Sequence, residues 1–166
     1  MICSYAAATD EQTLLNLWAA VFGDNWPLDA ALLHREVIDV PTYLPGDHLL
    51  AEVDGQAVGF ALTQVDQGTP PHGSLLALGV HPAYRRCGLG RALHKAALAH
   101  LRERGAEQVQ LGAGALGYLW PGVPVDLSAA PSSAQGTASG SSAWPFFAGK
   151  PICPATLERF LMTKVT

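Results

Sequence analysis

LGVHPAYRRCGLGRAL, residues 78–93, joins a short apolar run to a longer amphipathic one. Upstream, Ser74 to Val80 is apolar, ends at His81-Pro82 and is short enough for a buried central strand. Downstream, Leu89, Leu93, Ala96, Ala97 and Leu101 recur at helical spacing, with Arg91, His94, Lys95, Arg102 and Glu103 on the other side. This pattern predicts a helix over Gly88 to Arg104, stopped by Gly105. Gly88 and Gly90 have no Cβ, so the backbone there can come close to a ligand. They open a helix, where unpaired N–H groups and the helix dipole favour an anion. Arg85, Arg86 and Arg91 add charge, and a guanidinium meets phosphate oxygens through a rigid fork of donors. The combination predicts a cradle for a diphosphate.

Two common phosphate loops do not fit. A Walker A loop needs Gly-Lys followed by Ser or Thr, whereas Gly90 is followed by Arg91-Ala92. A dinucleotide fingerprint opening at Gly88 needs glycine where Leu93 stands. A second glycine run, GAGALG at 112–117, does match G-x-G-x-x-G. It is followed by YLWPGVP (118–124), whose two prolines and glycine cannot continue the required helix. No acidic residue lies about 20 positions on to hold a ribose.

What remains is Arg85-x-x-Gly88-x-Gly90, preceded by Val80-x-Pro82. This resembles the pyrophosphate-binding motif of the GNAT superfamily of acetyl-CoA-dependent N-acetyltransferases. In that family the motif follows a central strand and opens the main helix. The resemblance covers Leu75 to Leu111 and extends in element order to residues 1–66. YLWPGVP resembles a segment of some members, often ones carrying two such domains in tandem. There it follows the fifth strand and lines the acceptor side; an aromatic loop packed on the core explains it equally well.

Working outward, Ile2 to Ala7 reads as an opening strand. Thr9 and Gln12 have capping-box spacing, so a helix is expected to start at Thr9 and to bury Leu14, Leu15, Trp18, Val21 and Phe22. Gly23 to Pro27 breaks it, and a second helix is expected from about Leu28 to Ile38. Leu49 to Val53 and Gln56 to Val65 form a hairpin around Asp54-Gly55, a pair suited to a primed turn. Residues 66–73 read as a loop, and Gln108 to Leu111 as a further strand. Ser128 to Ser142 is rich in Ser, Ala and Gly without periodicity, and a closing strand or helix is expected over Leu157 to Val165. The fold class is mixed α/β, one domain over 1–166 with an irregular segment at about 128–143.

Composition narrows the function classes. Of 166 residues, 49% are hydrophobic and 14% charged, which is globular composition. A net charge of −4 is not the broad positive field of a nucleic-acid binder, so any anion site must be local. Cys3, Cys87 and Cys153 have neither zinc nor disulfide spacing, no metal site is expected, and a reducing cytoplasm is the default. No apolar stretch is long enough for a bilayer, so no membrane partner is expected.

The resemblance implies a mixed sheet flanked by helices, with two parallel strands splayed at the CoA site. It implies direct transfer of an acetyl group from acetyl-CoA to a small-molecule or peptide amine. Arg85, Arg86, Cys87, Gly88, Leu89, Gly90 and Arg91 would wrap the CoA diphosphate, with Cys87 a filler rather than a nucleophile. The backbone of Leu78, Gly79 and Val80 would pair with the pantetheine arm, and the Val80 N–H would face the oxyanion. Many members carry a basic glutamate on the central strand, eleven residues before the position of Arg85; here that position is Ser74. Candidate bases are then His72 and His81, with Glu52 and Asp66 behind them, while His94 and His100 read as helix surface. Tyr118 is the candidate acid for the leaving thiolate. The acceptor would enter near Phe22 to Leu28. The alternative reading is a GNAT-fold domain that binds acyl-CoA without catalysis. A homodimer is compatible with either.

Overall fold

The structure is a computed structural model that describes residues 1–111 and 119. The stretch 112–118 with Tyr118, the Ser/Ala/Gly-rich segment and the closing element lie outside the described residues. Five strands form one sheet in the order β1-β2-β3-β4-β5. They are β1 (Ile2–Ser4), β2 (Leu49–Val53), β3 (Gln56–Asp66), β4 (His72–Val80) and β5 (Gln108–Leu111). The first four are antiparallel neighbours, and β5 runs parallel to β4. The hairpin turn has the expected chemistry, with φ of 51° at Asp54 and 77° at Gly55. β4 begins at His72, so it takes in the end of the stretch that the sequence assigned to a loop.

Helix α1 (Ala7–Phe22) lies on one face with the short α2 (Ala30–Leu33), which widens into a π-helical turn over His34–Ile38. Helix α1 starts two residues before the expected Thr9. The Asp10 carboxylate accepts the Ala6 N–H at 2.8 Å, so the reaching-back half of a capping box comes from Asp10 rather than Gln12. The second helix starts at Ala30, capped by Asp29, which accepts the Leu32 N–H at 2.7 Å. On this face Leu14, Leu17, Trp18, Leu33 and Val37 pack on Phe60, Leu62, Leu76 and Ala77. Helix α3 (Leu89–Glu103) covers the other face, where Leu93 and Ala97 meet Ala51, Ala61 and Leu75, and Leu101 meets Val65 and Ala106.

The alternation of β4 breaks once. Ala77 stands opposite Leu62 and Leu75 opposite Thr63, so Leu76 is an extra residue. Leu76 and Ala77 therefore both belong to the α1 layer, while Leu75 belongs to the α3 layer. Two glycines then empty the sheet just beyond this bulge. A Cβ on Gly79 would lie 2.6 Å from the Phe60 ring and 3.0 Å from Val21 of α1. A Cβ on Gly59 would lie 2.9 Å from Leu93 of α3.

A buried polar knot joins the start of β2 to the far end of α3. Asp47 is 2% exposed and accepts from Arg104 Nε at 2.9 Å and from the Leu44 N–H at 2.7 Å. His100 Nε2 also lies 3.1 Å from Asp47. His100 is thus part of the fold's internal wiring, not plain helix surface. The Thr63 hydroxyl donates to the Asp47 carbonyl. Next to it His48 Nδ1 accepts the Thr63 N–H at 3.2 Å. Burial pushes the His48 pKa down to about 4, with the nearby His100 adding to the effect and Asp47 opposing it.

Two outcomes are expected. Gly79→Ala should destabilise the fold by about 1–3 kcal/mol in chemical denaturation, because the Phe60 ring and α1 must both shift. Adding Phe60→Leu should recover part of that loss. For His48, the folded pKa lies below the usual 6.5, so unfolding takes up a proton between about 6.5 and 4. Its contribution is complete above that window and falls as pH drops through it, by up to about 1.4 kcal/mol per pH unit. His48→Asn, which can still accept the Thr63 N–H, should flatten the slope of stability against pH; an unchanged slope would refute the assignment.

Candidate functional site

The site lies where β4 runs into α3. The N–H of His81 pairs with the Val58 carbonyl on β3 at 2.8 Å, and Gly79 stands opposite Phe60. Backbone groups alternate along a strand, so those of Gly79 face β3 and those of Leu78 and Val80 face the other edge. Among the described residues that edge is paired with β5 only as far as Leu75, opposite Leu111. Of the three residues expected to pair with a pantetheine arm, Leu78 and Val80 turn their backbone groups away from β3. Gly79 serves the core instead.

After Val80 the chain makes a 3-10 turn over Pro82–Tyr84. His81 Nδ1 accepts the Ala83 N–H at 3.3 Å, and its ring meets Tyr84 edge-on, so His81 caps this turn. The chain then reverses through left-handed residues, with φ of 66° at Arg86 and 82° at Gly88. Reversals of this kind gather successive N–H groups into anion-binding concavities. The first helical hydrogen bond of α3 runs from the Ala92 N–H to the Gly88 carbonyl at 3.0 Å. The N–H groups of Leu89, Gly90 and Arg91 therefore precede the helical ladder, and among the described residues no side-chain cap is seen. Nothing lies within 4 Å of the space a Gly88 Cβ would fill. Arg86 and Arg91 are exposed beside this terminus. An open backbone, the positive end of a helix dipole and two exposed guanidinium groups together suit a diphosphate.

The remaining residues fall elsewhere. Cys87 is buried, with its thiol 3.5 Å from the Arg85 carbonyl, and it fills the loop interior. Arg85 departs from the charge-counting argument. Its Nε donates to the Val80 carbonyl at 3.0 Å and its Nη2 to the Val21 carbonyl at 3.2 Å, so its fork points inward. Loss of hydration lowers its pKa. His72 starts β4, with Nδ1 2.7 Å from the Pro70 carbonyl. Six residues of extended strand, about 20 Å, separate it from Leu78, so the structure does not bring His72 to the open edge. Tyr118 lies outside the described residues.

A polar row under the sheet was not visible in the sequence pattern. Ser74 of β4 stands opposite Gln64 on one side and Gln110 on the other. Directly opposed residues share a face. Leu75 points to α3, so this row points to the α1 side, which is also where Gln64 Nε2 donates to the Thr42 hydroxyl at 2.7 Å. Gln64 is 4% exposed and Ser74 6%. Along the same face, Trp18 Nε1 donates to the Trp26 carbonyl at 2.7 Å and fixes the turn that leaves α1.

Comparison with known proteins agrees with this geometry. The chain is 37% identical over 117 residues to the mycothiol acetyltransferase of Thermobispora bispora, covering 65% of this chain but 39% of that protein. The chain thus spans about two-fifths of the length of that relative. A solved glucosamine N-acetyltransferase region of a fungal multi-domain GH3 beta-N-acetylglucosaminidase is 33% identical, with a TM-score of 0.66. That match covers 76% of this chain and 15% of the fungal one. The ribosomal-protein-S18-alanine N-acetyltransferase of Escherichia coli is 25% identical with a TM-score of 0.55, covering 67% of this chain and 64% of that one. The family model described as Acetyltransferase (GNAT) family matches residues 12–118, more than half of the chain, and the chain belongs to that family.

Proposed function

We propose that the chain transfers an acetyl group from acetyl-CoA to the primary amine of a small, polyhydroxylated acceptor. The observation that carries the donor half is the junction of the β4 edge at Leu78 and Val80, which no strand covers among the described residues, with the N-terminus of α3. Leu78 and Val80 would hold the pantetheine arm as an added strand, and the N–H groups of Leu89 to Arg91, with Arg86, would hold the diphosphate. The Val80 N–H, facing the same edge, is placed to donate to the oxygen of the carbonyl under attack. Tyr118 is proposed as the proton source for the departing thiolate, on family resemblance.

The acceptor half rests on the row of Gln64, Ser74 and Gln110, with Thr42 beyond it. These are neutral donors and acceptors, suited to hydroxyl groups rather than to a second cation. Two of the similar proteins are named for mycothiol and for glucosamine, and an amino sugar fits the row. Ser74 cannot act as the family's glutamate does. The amine would then have to arrive already neutral, or lose its proton to water held by the row. A second reading, an acyl-CoA-binding domain without turnover, is favoured by the same buried Ser74.

Thiol release from acetyl-CoA should be measured across glucosamine, an alanine-terminated peptide and an alkylamine. Glucosamine should be the best of the three, and kcat/KM should rise with pH until the acceptor's own ammonium group has lost its proton. Gln64→Leu should raise the KM for glucosamine about tenfold, as expected for a lost hydrogen bond that leaves a partner unpaired. CoA binding by calorimetry with no thiol release from any amine would decide for the second reading.

A further inference from the structure

We propose that Arg85 is a positioning residue that ties the open edge of β4 to the end of α1, and that it does not ligate the CoA diphosphate. The inference deepens the donor-site reading above and rests on it. Three observations carry it. First, the guanidinium spends two of its donors on main-chain carbonyls, Val80 at 3.0 Å and Val21 at 3.2 Å. The Nε–Nη2 edge, the one that meets phosphate bidentately, is committed in this way to main-chain carbonyls. Second, Val21 lies in the last turn of α1, where carbonyls lack helical partners and the dipole is negative. Helix α1 has no basic residue of its own in that turn, so Arg85 supplies the missing cation from across the sheet. Third, the left-handed Arg86 turns the chain between the inward side chain and the exposed Arg86 and Arg91, which remain available to an anion.

The position of the brace has two consequences for the reaction. Val80 presents its N–H and its C=O to the open edge, and Arg85 occupies the C=O. A ligand pairing along β4 can therefore use the Val80 N–H, while the Val80 carbonyl already accepts from Arg85. The same guanidinium holds the end of α1, which leads directly into the Gly23–Asn25 turn and Trp26 on the proposed acceptor side. Occupancy of the donor edge and order of the acceptor turn are then linked through one side chain.

The test uses CoA titrated calorimetrically at several salt concentrations into the full chain and into Arg85→Gln, Arg85→Lys and Arg86→Ala. Arg86→Ala should flatten the dependence of affinity on salt, because a phosphate partner is lost. Arg85→Gln should weaken CoA by about fivefold, the equilibrium value of roughly one net hydrogen bond, and leave the salt dependence unchanged. Equal flattening in both variants would make Arg85 a diphosphate ligand and overturn the proposal. Amide exchange gives a second arm. CoA should slow exchange over Phe22 to Trp26 in the unaltered chain, and this protection should be lost in the Arg85 variants. Protection that survives both substitutions would overturn the link, and absence of protection in the unaltered chain would do the same even if neither variant folds. If the unaltered chain fails to bind CoA, the donor reading falls. The brace is then judged by exchange without ligand, which should be faster over residues 22–24 in Arg85→Gln.

Discussion

The architecture depends on the close approach of two helices to one end of the sheet, and on the two glycines that permit it. Gly79 leaves room for the Phe60 ring and Val21 on the α1 face. Gly59, on the neighbouring strand, leaves room for Leu93 on the α3 face. Both helices therefore come close to the sheet where β4 gives way to the turn into α3. Because α1 sits so close there, its terminal carbonyls come within reach of Arg85. Because α3 sits so close, its N-terminus stands beside the β4 edge. The end of β4, the start of α3 and the turn after α1 are brought together by missing side chains.

The bulge at Leu76 complements this. One extra residue in β4 puts two successive side chains into the α1 layer and bends the strand just past the last described pair with β5. Ser74 and the two glutamines lie before the bulge, Leu78 and Val80 after it. The polar row and the donor edge therefore belong to one strand but to two differently oriented parts of it.

Much of the fold could be read from local chemistry. Asp54-Gly55 specified its turn, Gly105 its helix stop, and the stripe of α3 its buried face, because each signal resides in neighbouring residues. The turn into α3 was legible for the same reason: glycines, a helix start and arginines stand together in sequence. Where the reading failed, the deciding partner was distant. The inward hydrogen bond of Arg85 could not be read locally, because the Val21 carbonyl that accepts it is 64 residues away. His100 looked like surface because Asp47 is 53 residues away, although its i,i+4 spacing with Arg104 was a signal that both could meet one anion. His72 looked close to the motif because sequence proximity was taken for spatial proximity, and an extended strand separates residues faster than a helix does. The start of α1 shifted because Asp10 could answer the same N–H that a capping box would.

Asp47 has a mechanical meaning beyond local stability. Helix α3 has 15 residues and is about 22 Å long. Its last turn is clamped by Arg104 and His100 to a carboxylate that is itself pinned through Leu44. Leu93, seated over Gly59, stops the same helix from rolling. A rod held at its far end and keyed at its near end has little freedom to slide along its axis. The offset between the α3 terminus and the β4 edge is thus set partly by an anchor at the opposite end of the helix. Asp47 works as a gauge block, and residues remote from the β4–α3 junction share in fixing its dimensions.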